Sequence, residues 1–210
     1  MPQRLTRELL IQGTSELAAR DPSLADVIDN HGVPPMWGRK AGYAALVKII
    51  LEQQVSLTSA AAVYKKLEST VTEISPEEIV KLSAGGLQNL GFTRQKAGYT
   101  EGLARAILDG EIDLGKLGKM SDEDVHARLI TIKGIGPWTA NIYLIMALKR
   151  PDVWPHGDLA LAEAARRIRK LSKRPGYDEL DRIALDWQPW RAVAARILWH
   201  AYLCGYGVTK

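Results

Sequence analysis

Helix-start signals recur along this chain, and the strict apolar–polar alternation that builds strands is hard to find. In ISPEEI (74–79), Ser75 stands at an N-cap, Pro76 at the first helical position, and Glu78 completes a capping box. Ile74 and Ile79 are spaced to form the hydrophobic staple around that cap. MSDEDV (120–125) repeats the device with Ser121, Asp124, Met120 and Val125. The pattern predicts helices near 4–19, 22–30, 41–53, 57–69, 76–82, 94–109, 122–131, 137–148, 159–171, 178–186 and 190–203. The implied fold class is all-α. A length of 210 residues suits one sizeable domain or two small lobes.

Two of these helices read as buried. Between Trp138 and Leu148 only Thr139 and Asn141 are clearly polar, so this helix is apolar nearly all round. The last helix carries one stripe of Trp190, Val193, Ala194, Ile197, Leu198 and Ala201, and a second group of Ala192, Ala195, Trp199 and Leu203 on its opposite side. Trp187 and Trp190 read as core, whereas Trp37 and Trp154 fit core or pocket equally. The clearest loops are HGVPPMWGRK (31–40) and LSKRPGYD (171–178).

Composition narrows the chemistry. A single cysteine, Cys204, rules out an internal disulfide and a four-thiolate zinc or iron–sulfur site. No apolar run approaches the roughly 18 residues that a membrane span needs, and the start, MPQRLTRELLIQG, lacks the apolar core of a signal peptide. The expected location is the cytoplasm, at the nucleoid. Lys and Arg total 28 against 24 Asp and Glu, a net charge of +4, which weakly favours an anionic partner such as nucleic acid.

IKGIGPWTAN (132–141) joins two predicted helices through two glycines. Gly134 and Gly136 permit positive φ or close backbone approach, and Pro137 suits the first residue of the next helix. Helix 122–131, the turn and helix 137–148 thus form a helix–hairpin–helix. Free N–H groups at the turn, aided by the helix dipole, make an anion site against which a phosphate backbone can lie. Lys133 adds charge. The competing reading is a tight helix corner that binds nothing.

Twenty residues beyond the hairpin, DVWPHGDLALAEAARRIRK (152–170) places Asp158 at a helix start behind a Pro-His-Gly turn. Asp158 fits a plain N-cap. It equally fits a catalytic carboxylate held at the end of a rigid element. His156 has no histidine cluster around it, and His156 with Asp158 offers too few ligands for a metal. The basic run Arg166, Arg167, Arg169, Lys170, Lys173 and Arg174 reads first as solvated charge at a helix C-terminus.

LITIKGIGPWTANIYL followed by DVWPHGDLAL resembles the hairpin, Gly/Pro-rich loop and aspartate of the helix–hairpin–helix DNA glycosylase superfamily. IILEQQVSLTSA (49–60), LGFTRQKAGY (90–99) and WQPWRAVAARILWHAY (187–202) resemble its 3-methyladenine DNA glycosylase II (AlkA-type) branch. The likeness covers 36–206 of a chain expected to form one helical unit over 1–210, with the hairpin motif at 122–148. The N-terminal mixed α/β domain of longer members has no room here.

The resemblance implies two helical lobes with an active-site cleft between them. It implies a monofunctional enzyme that flips alkylated, cationic purines such as 3-methyladenine and 7-methylguanine out of double-stranded DNA and leaves an abasic site. Asp158 falls on the catalytic aspartate. Lys133, Gly134, Ile135 and Gly136 fall on the DNA-gripping hairpin, whose carbonyls at Ile132 and Ile135 are places for a monovalent cation. Trp138 stands where bifunctional relatives carry a Schiff-base lysine, and a tryptophan cannot do that chemistry. Trp138 and Trp199 match aromatic base-pocket positions. Ile142 departs from the pattern, which has a tyrosine there, and the adjacent Tyr143 points about 100° away around the helix. Gln53, Gln54 and Thr93 are the further DNA-contact candidates, with Gln54 in the place of the wedge that fills the gap. No organic cofactor and no catalytic metal is implied, and the protein is expected to act as a monomer. The alternatives are a glycosylase for uracil, mismatched bases or other neutral lesions, and a helix–hairpin–helix binding module without chemistry.

Overall fold

The sequence punctuation operates as local chemistry dictates. In a computed structural model, which describes residues 2–207, the Ser75 hydroxyl accepts the Glu78 N–H and the Ser121 hydroxyl accepts the Asp124 N–H. The reciprocal half of the first capping box does not form, because the Ser75 N–H bonds to the Glu73 carbonyl and the Glu78 carboxylate pairs with Lys81. The described residues contain helices and no strand.

The chain divides into two compact units. The first spans Arg39–Leu148 and contains α3 (Tyr43–Glu52), α4 (Leu57–Thr70), α5 (Pro76–Asn89), α6 (Arg94–Leu108), α7 (Leu114–Leu117), α8 (Asp122–Ile130) and α9 (Pro137–Met146). Its centre is α3, which buries Tyr43, Ala45, Leu46, Val47, Ile49, Ile50 and Leu51 against α4, α6 and α9. The helix predicted to end at 82 continues to Asn89 past a break at Ser83 (φ 61°, ψ 169°). There the Glu101 carboxylate, from α6, accepts the Ala84 N–H at 2.7 Å and caps the resumed helix. The four-residue α7 carries no amphipathic signal and was not expected.

The second unit joins Gln3–Gly38 to the chain from Lys149 onward, and so is discontinuous in sequence. It contains α1 (Arg7–Arg20), α2 (Pro22–His31), α10 (Leu159–Ile168), α11 (Tyr177–Leu185) and α12 (Arg191–Leu203). Its core joins Leu10, Leu17, Leu24 and Val27 of the first segment to Leu161, Ala165, Trp187, Ile197 and Leu198 of the second. The Leu5 N–H donates to the Lys149 carbonyl at 2.7 Å, which stitches the two segments. That bond also explains why α1 starts at Arg7 rather than at residue 4: Leu5 is buried in extended chain before the Thr6 cap.

Within α12 every residue from Ala192 to Leu198 is buried, so both expected apolar groups contribute, but Leu203 is exposed. The surprise is Arg196, fully buried on that helix. Its Nη1 donates to the Trp37 carbonyl at 2.7 Å, and burial pushes the guanidinium down to about 10, which still leaves it charged at neutral pH. Asp21 caps α2 and also accepts Trp187 Nε1–H at 2.9 Å and Arg169 Nη2–H at 2.6 Å, fixing the buried tryptophan.

Candidate functional site

In the first unit, α8, the turn 131–136 and α9 form the predicted helix–hairpin–helix. The two glycines do different work. Gly134 has φ +94°, and a Cβ placed there would lie 2.2 Å from Tyr99 Cγ on α6. The Cβ side of Gly134 is therefore filled by Tyr99, a packing role that the sequence did not show. Gly136, with φ −90° and ψ 178°, is exposed and has open space where a Cβ would stand. Among the described residues, no acceptor meets the N–H of Gly134 or Gly136. Gly136 is thus the glycine whose backbone is accessible, at the start of a helix whose dipole favours an anion. Lys133 is exposed beside it and forms no ion pair among the described residues. Ile132 and Ile135 are buried and anchor the turn. The Ile132 carbonyl accepts the Ile135 N–H at 3.0 Å and keeps one lone pair for the monovalent cation implied there.

The EQQVS turn lies between α3 and α4 in the same unit. The Gln53 amide nitrogen is engaged within the protein: its Nε2 donates to the Gly134 carbonyl at 3.0 Å and to Thr139 Oγ1 at 2.8 Å, which ties the turn to the hairpin. Gln54 is exposed and sits at φ 55°, a left-handed conformation uncommon for a residue with a Cβ. Val55 and Leu57 beside it are 45% and 59% exposed, a small apolar projection of the kind that separates base steps. Thr93 caps α6 by accepting the Lys96 N–H at 3.2 Å. Lys96 itself, unremarked in the sequence, donates from Nζ to the carbonyls of Leu51 and Gln53 at 2.6 and 2.7 Å. The available signal was its place on the buried stripe of α6, four residues before Thr100 and eight before Ala104.

On α9, Trp138 is partly buried in the first turn, and Ile142 is buried. Tyr143 is fully buried, and its hydroxyl accepts the Gly42 N–H at 3.1 Å. That residue holds the loop before α3, and it drops out of the base-pocket candidates.

In the second unit, Asp158 is the N-cap of α10. It is 8% exposed, and its Oδ1 accepts the Leu161 N–H at 3.0 Å. The turn that delivers it is held from two helices. Arg191 of α12 clamps Asp152, with Nε and Nη2 each 2.9 Å from the carboxylate. Asp181 of α11 takes Trp154 Nε1–H on Oδ1 at 2.9 Å and faces His156 Nδ1 from Oδ2 at 2.6 Å. Gly157 supplies φ +81° between them and has open space where a Cβ would stand, so its conformation rather than its size is what the turn uses. His156 is therefore a tether of the turn, a role the sequence did not disclose. Trp199 is partly buried and packs on the core of this unit.

His156, Asp178 and Asp181 offer ligand atoms within 4.8 Å of one another; His156 and Asp178 are exposed and Asp181 is partly buried. Part of the basic run at the end of α10 is paired: the Glu163 carboxylate meets Arg166 at 2.8 Å and Arg167 at 2.9 Å, which holds its carboxyl down at about 2.

A family model described as the HhH-GPD superfamily base excision DNA repair protein matches residues 47–189, which include the EQQVS turn, the hairpin and Asp158. The chain belongs to the HhH-GPD superfamily. The Bacillus subtilis protein YfjP is 31% identical over 187 residues, 85% of this chain and 65% of that protein. A DNA-3-methyladenine glycosylase of the same organism is 36% identical over 123 residues, 59% of this chain and 41% of that protein. The chain thus spans less than two thirds of either relative. Among solved structures, the Schizosaccharomyces pombe 3-methyladenine DNA glycosylase in complex with abasic DNA matches at a TM-score of 0.86 and 27% identity, over 95% of this chain and all of that one. No helix among the described residues is long and apolar enough to cross a membrane.

Proposed function

We propose that this HhH-GPD protein is a monofunctional DNA glycosylase, acting on double-stranded DNA to release alkylated, cationic purines and leave an abasic site. The observation that carries the reading is Asp158. It is a carboxylate withdrawn from solvent and fixed at Oδ1 by a backbone N–H, on a turn tethered at both Asp152 and His156. A plain N-cap needs none of that tethering.

The chemistry follows from these parts. A base inside a duplex is out of reach, so it is extruded, at a cost of a few kcal/mol that falls when damage weakens stacking. Gln54 on its exposed turn takes the vacated space. The Gly136 N–H and Lys133 hold the backbone without reading sequence. Trp138 and Trp199 offer aromatic faces to a cationic base, and such contacts contribute roughly 0.5–2 kcal/mol. The glycosidic C–N bond then breaks with its electron pair leaving on the methylated base, which departs neutral and requires no strong acid. Asp158 as a carboxylate stabilises the oxocarbenium-like sugar, orients the water whose oxygen bonds C1′ and accepts the proton that this water loses, by analogy with glycoside hydrolysis. With tryptophan at 138, no amine is present at that position to form a Schiff base, and the strand stays uncut.

The test is base release from three matched duplexes carrying 7-methylguanine, uracil or no lesion. Release of methylguanine alone or foremost supports the proposal. Preferential release of uracil replaces it with a neutral-lesion glycosylase, and binding without release from any duplex replaces it with a binding module.

A further inference from the structure

Resting on the glycosylase reading, we infer that Lys96 is a positioning residue that locks the wedge turn and the hairpin into one DNA-engaging element. Lys96 Nζ reaches the C-terminal end of α3, where the last carbonyls of a helix have no intrahelical partner. It donates there to the Leu51 and Gln53 carbonyls at 2.6 and 2.7 Å. The Gln53 carbonyl belongs to the peptide unit that leads directly into Gln54. Rotation about the next bond is the φ of Gln54, which stands at 55°. By holding that peptide plane, Lys96 fixes the direction in which the Gln54 side chain projects.

The other end of the same residue completes the tie. The Gln53 amide is bonded to the Gly134 carbonyl and to Thr139, so one residue joins the lysine-held helix end to the hairpin. The path from α6 through α3 to the hairpin is continuous in hydrogen bonds, and Tyr99, three residues after Lys96, closes it from the other side by packing on Gly134. Burial pushes the Lys96 ammonium below the ordinary lysine range. A lysine placed where its charge is disfavoured, and spent on two carbonyls, is an expensive way to end a helix. A left-handed non-glycine residue kept exposed in the adjacent turn marks a conformation that its surroundings impose. Both observations are explained if the aim of Gln54 relative to the hairpin is what has to be maintained.

The experiment measures affinity for two duplexes of one sequence, one carrying a tetrahydrofuran abasic-site analogue and one undamaged. It compares wild type, Lys96→Met, Lys96→Arg, Gln54→Gly and the double variant Lys96→Met/Gln54→Gly. Misaiming a group by about 1 Å can cost on the order of 100-fold. Lys96→Met is therefore expected to reduce the preference for the abasic duplex roughly 10- to 100-fold while leaving the undamaged duplex bound as before. Lys96→Arg, which keeps the donors, recovers most of the preference. In the Gln54→Gly background, Lys96→Met changes nothing further, which a merely structural lysine would not produce. Lys96→Gln serves if Lys96→Met does not fold. An equal loss in the Gln54→Gly background, or an equal loss on undamaged DNA, overturns the inference. A preference that survives Lys96→Met overturns it alone, whereas a wild type without any preference removes the glycosylase reading and the inference with it.

Discussion

Alanine at the two hairpin glycines separates their roles. At Gly134 the new methyl meets the Tyr99 ring at 2.2 Å from Cγ, 2.5 Å from Cδ2 and 2.6 Å from Cβ. Those atoms are the root of the side chain and cannot swing aside as a flexible tip would. Overpacking of this kind costs about 1–3 kcal/mol, and a left-handed backbone on an L residue adds about 1–2 kcal/mol. The sum is about 2–5 kcal/mol, a large fraction of a typical domain's stability. Gly136→Ala meets nothing within 4 Å at φ −90°. It removes unfolded-state freedom, so stability should stay level or rise by about 0.4–1 kcal/mol. Its methyl fills the open space in which the phosphate is proposed to lie, and losing one charge-assisted bond of about 1.5–3 kcal/mol weakens DNA affinity by tenfold or more. Urea unfolding followed by tryptophan fluorescence, and binding to two unrelated duplexes at fixed salt, give both readouts. A Gly134→Ala protein as stable as wild type would refute the packing argument. A Gly136→Ala protein with unchanged affinity on both duplexes would reduce the hairpin to a helix corner.

Two further outcomes follow from named groups. Asp21 is raised by its own burial, but the Ser23 and Trp187 hydrogen bonds and the Arg169 charge outweigh that and hold its carboxyl below the usual range. Its stabilisation is therefore complete above the ordinary aspartate range and is lost as pH falls through the depressed value. Unfolding midpoints from pH 7 to pH 2 should fall less steeply in Asp21→Asn than in wild type, from a lower starting point; parallel curves would contradict this. With Trp138 in place of a lysine, borohydride treatment during turnover should trap no covalent protein–DNA adduct, and the strand should break only on later alkaline heating; a trapped adduct would require an amine nucleophile elsewhere.

What could be read from the sequence was what local chemistry decides. Ser75, Ser121, Pro76 and Pro137 specify helix starts through bonds or dihedrals within four residues, and the helices begin there. Asp158 and the hairpin glycines were candidates by residue type and spacing, and the family resemblance supplied their expected roles. What was hidden rests on distant partners. Tyr99 decides what Gly134 is for, from thirty-five residues away. Glu101 lets α5 resume after Ser83, so the end of that helix was misplaced. Gln53 was a DNA-contact candidate by resemblance, and only the fold shows that both hydrogen bonds of its side-chain Nε2 go to the hairpin and α9. His156 looked idle for want of nearby histidines, and its partner is Asp181 on another helix. A buried cation such as Arg196 runs against residue-type expectation, and its bond to the Trp37 carbonyl is visible only in three dimensions.

Asp158→Asn tests the central claim most directly. Asparagine caps a helix as well as aspartate, and its carbonyl oxygen can still accept the Leu161 N–H now bonded at 3.0 Å. The fold and the affinity for DNA should therefore persist, while the negative charge is gone. Measured as single-turnover release of 7-methylguanine from a defined duplex, the rate should fall by roughly 100- to 1,000-fold or more. Release at close to the wild-type rate would return Asp158 to the role of a helix cap and contradict the proposed chemistry.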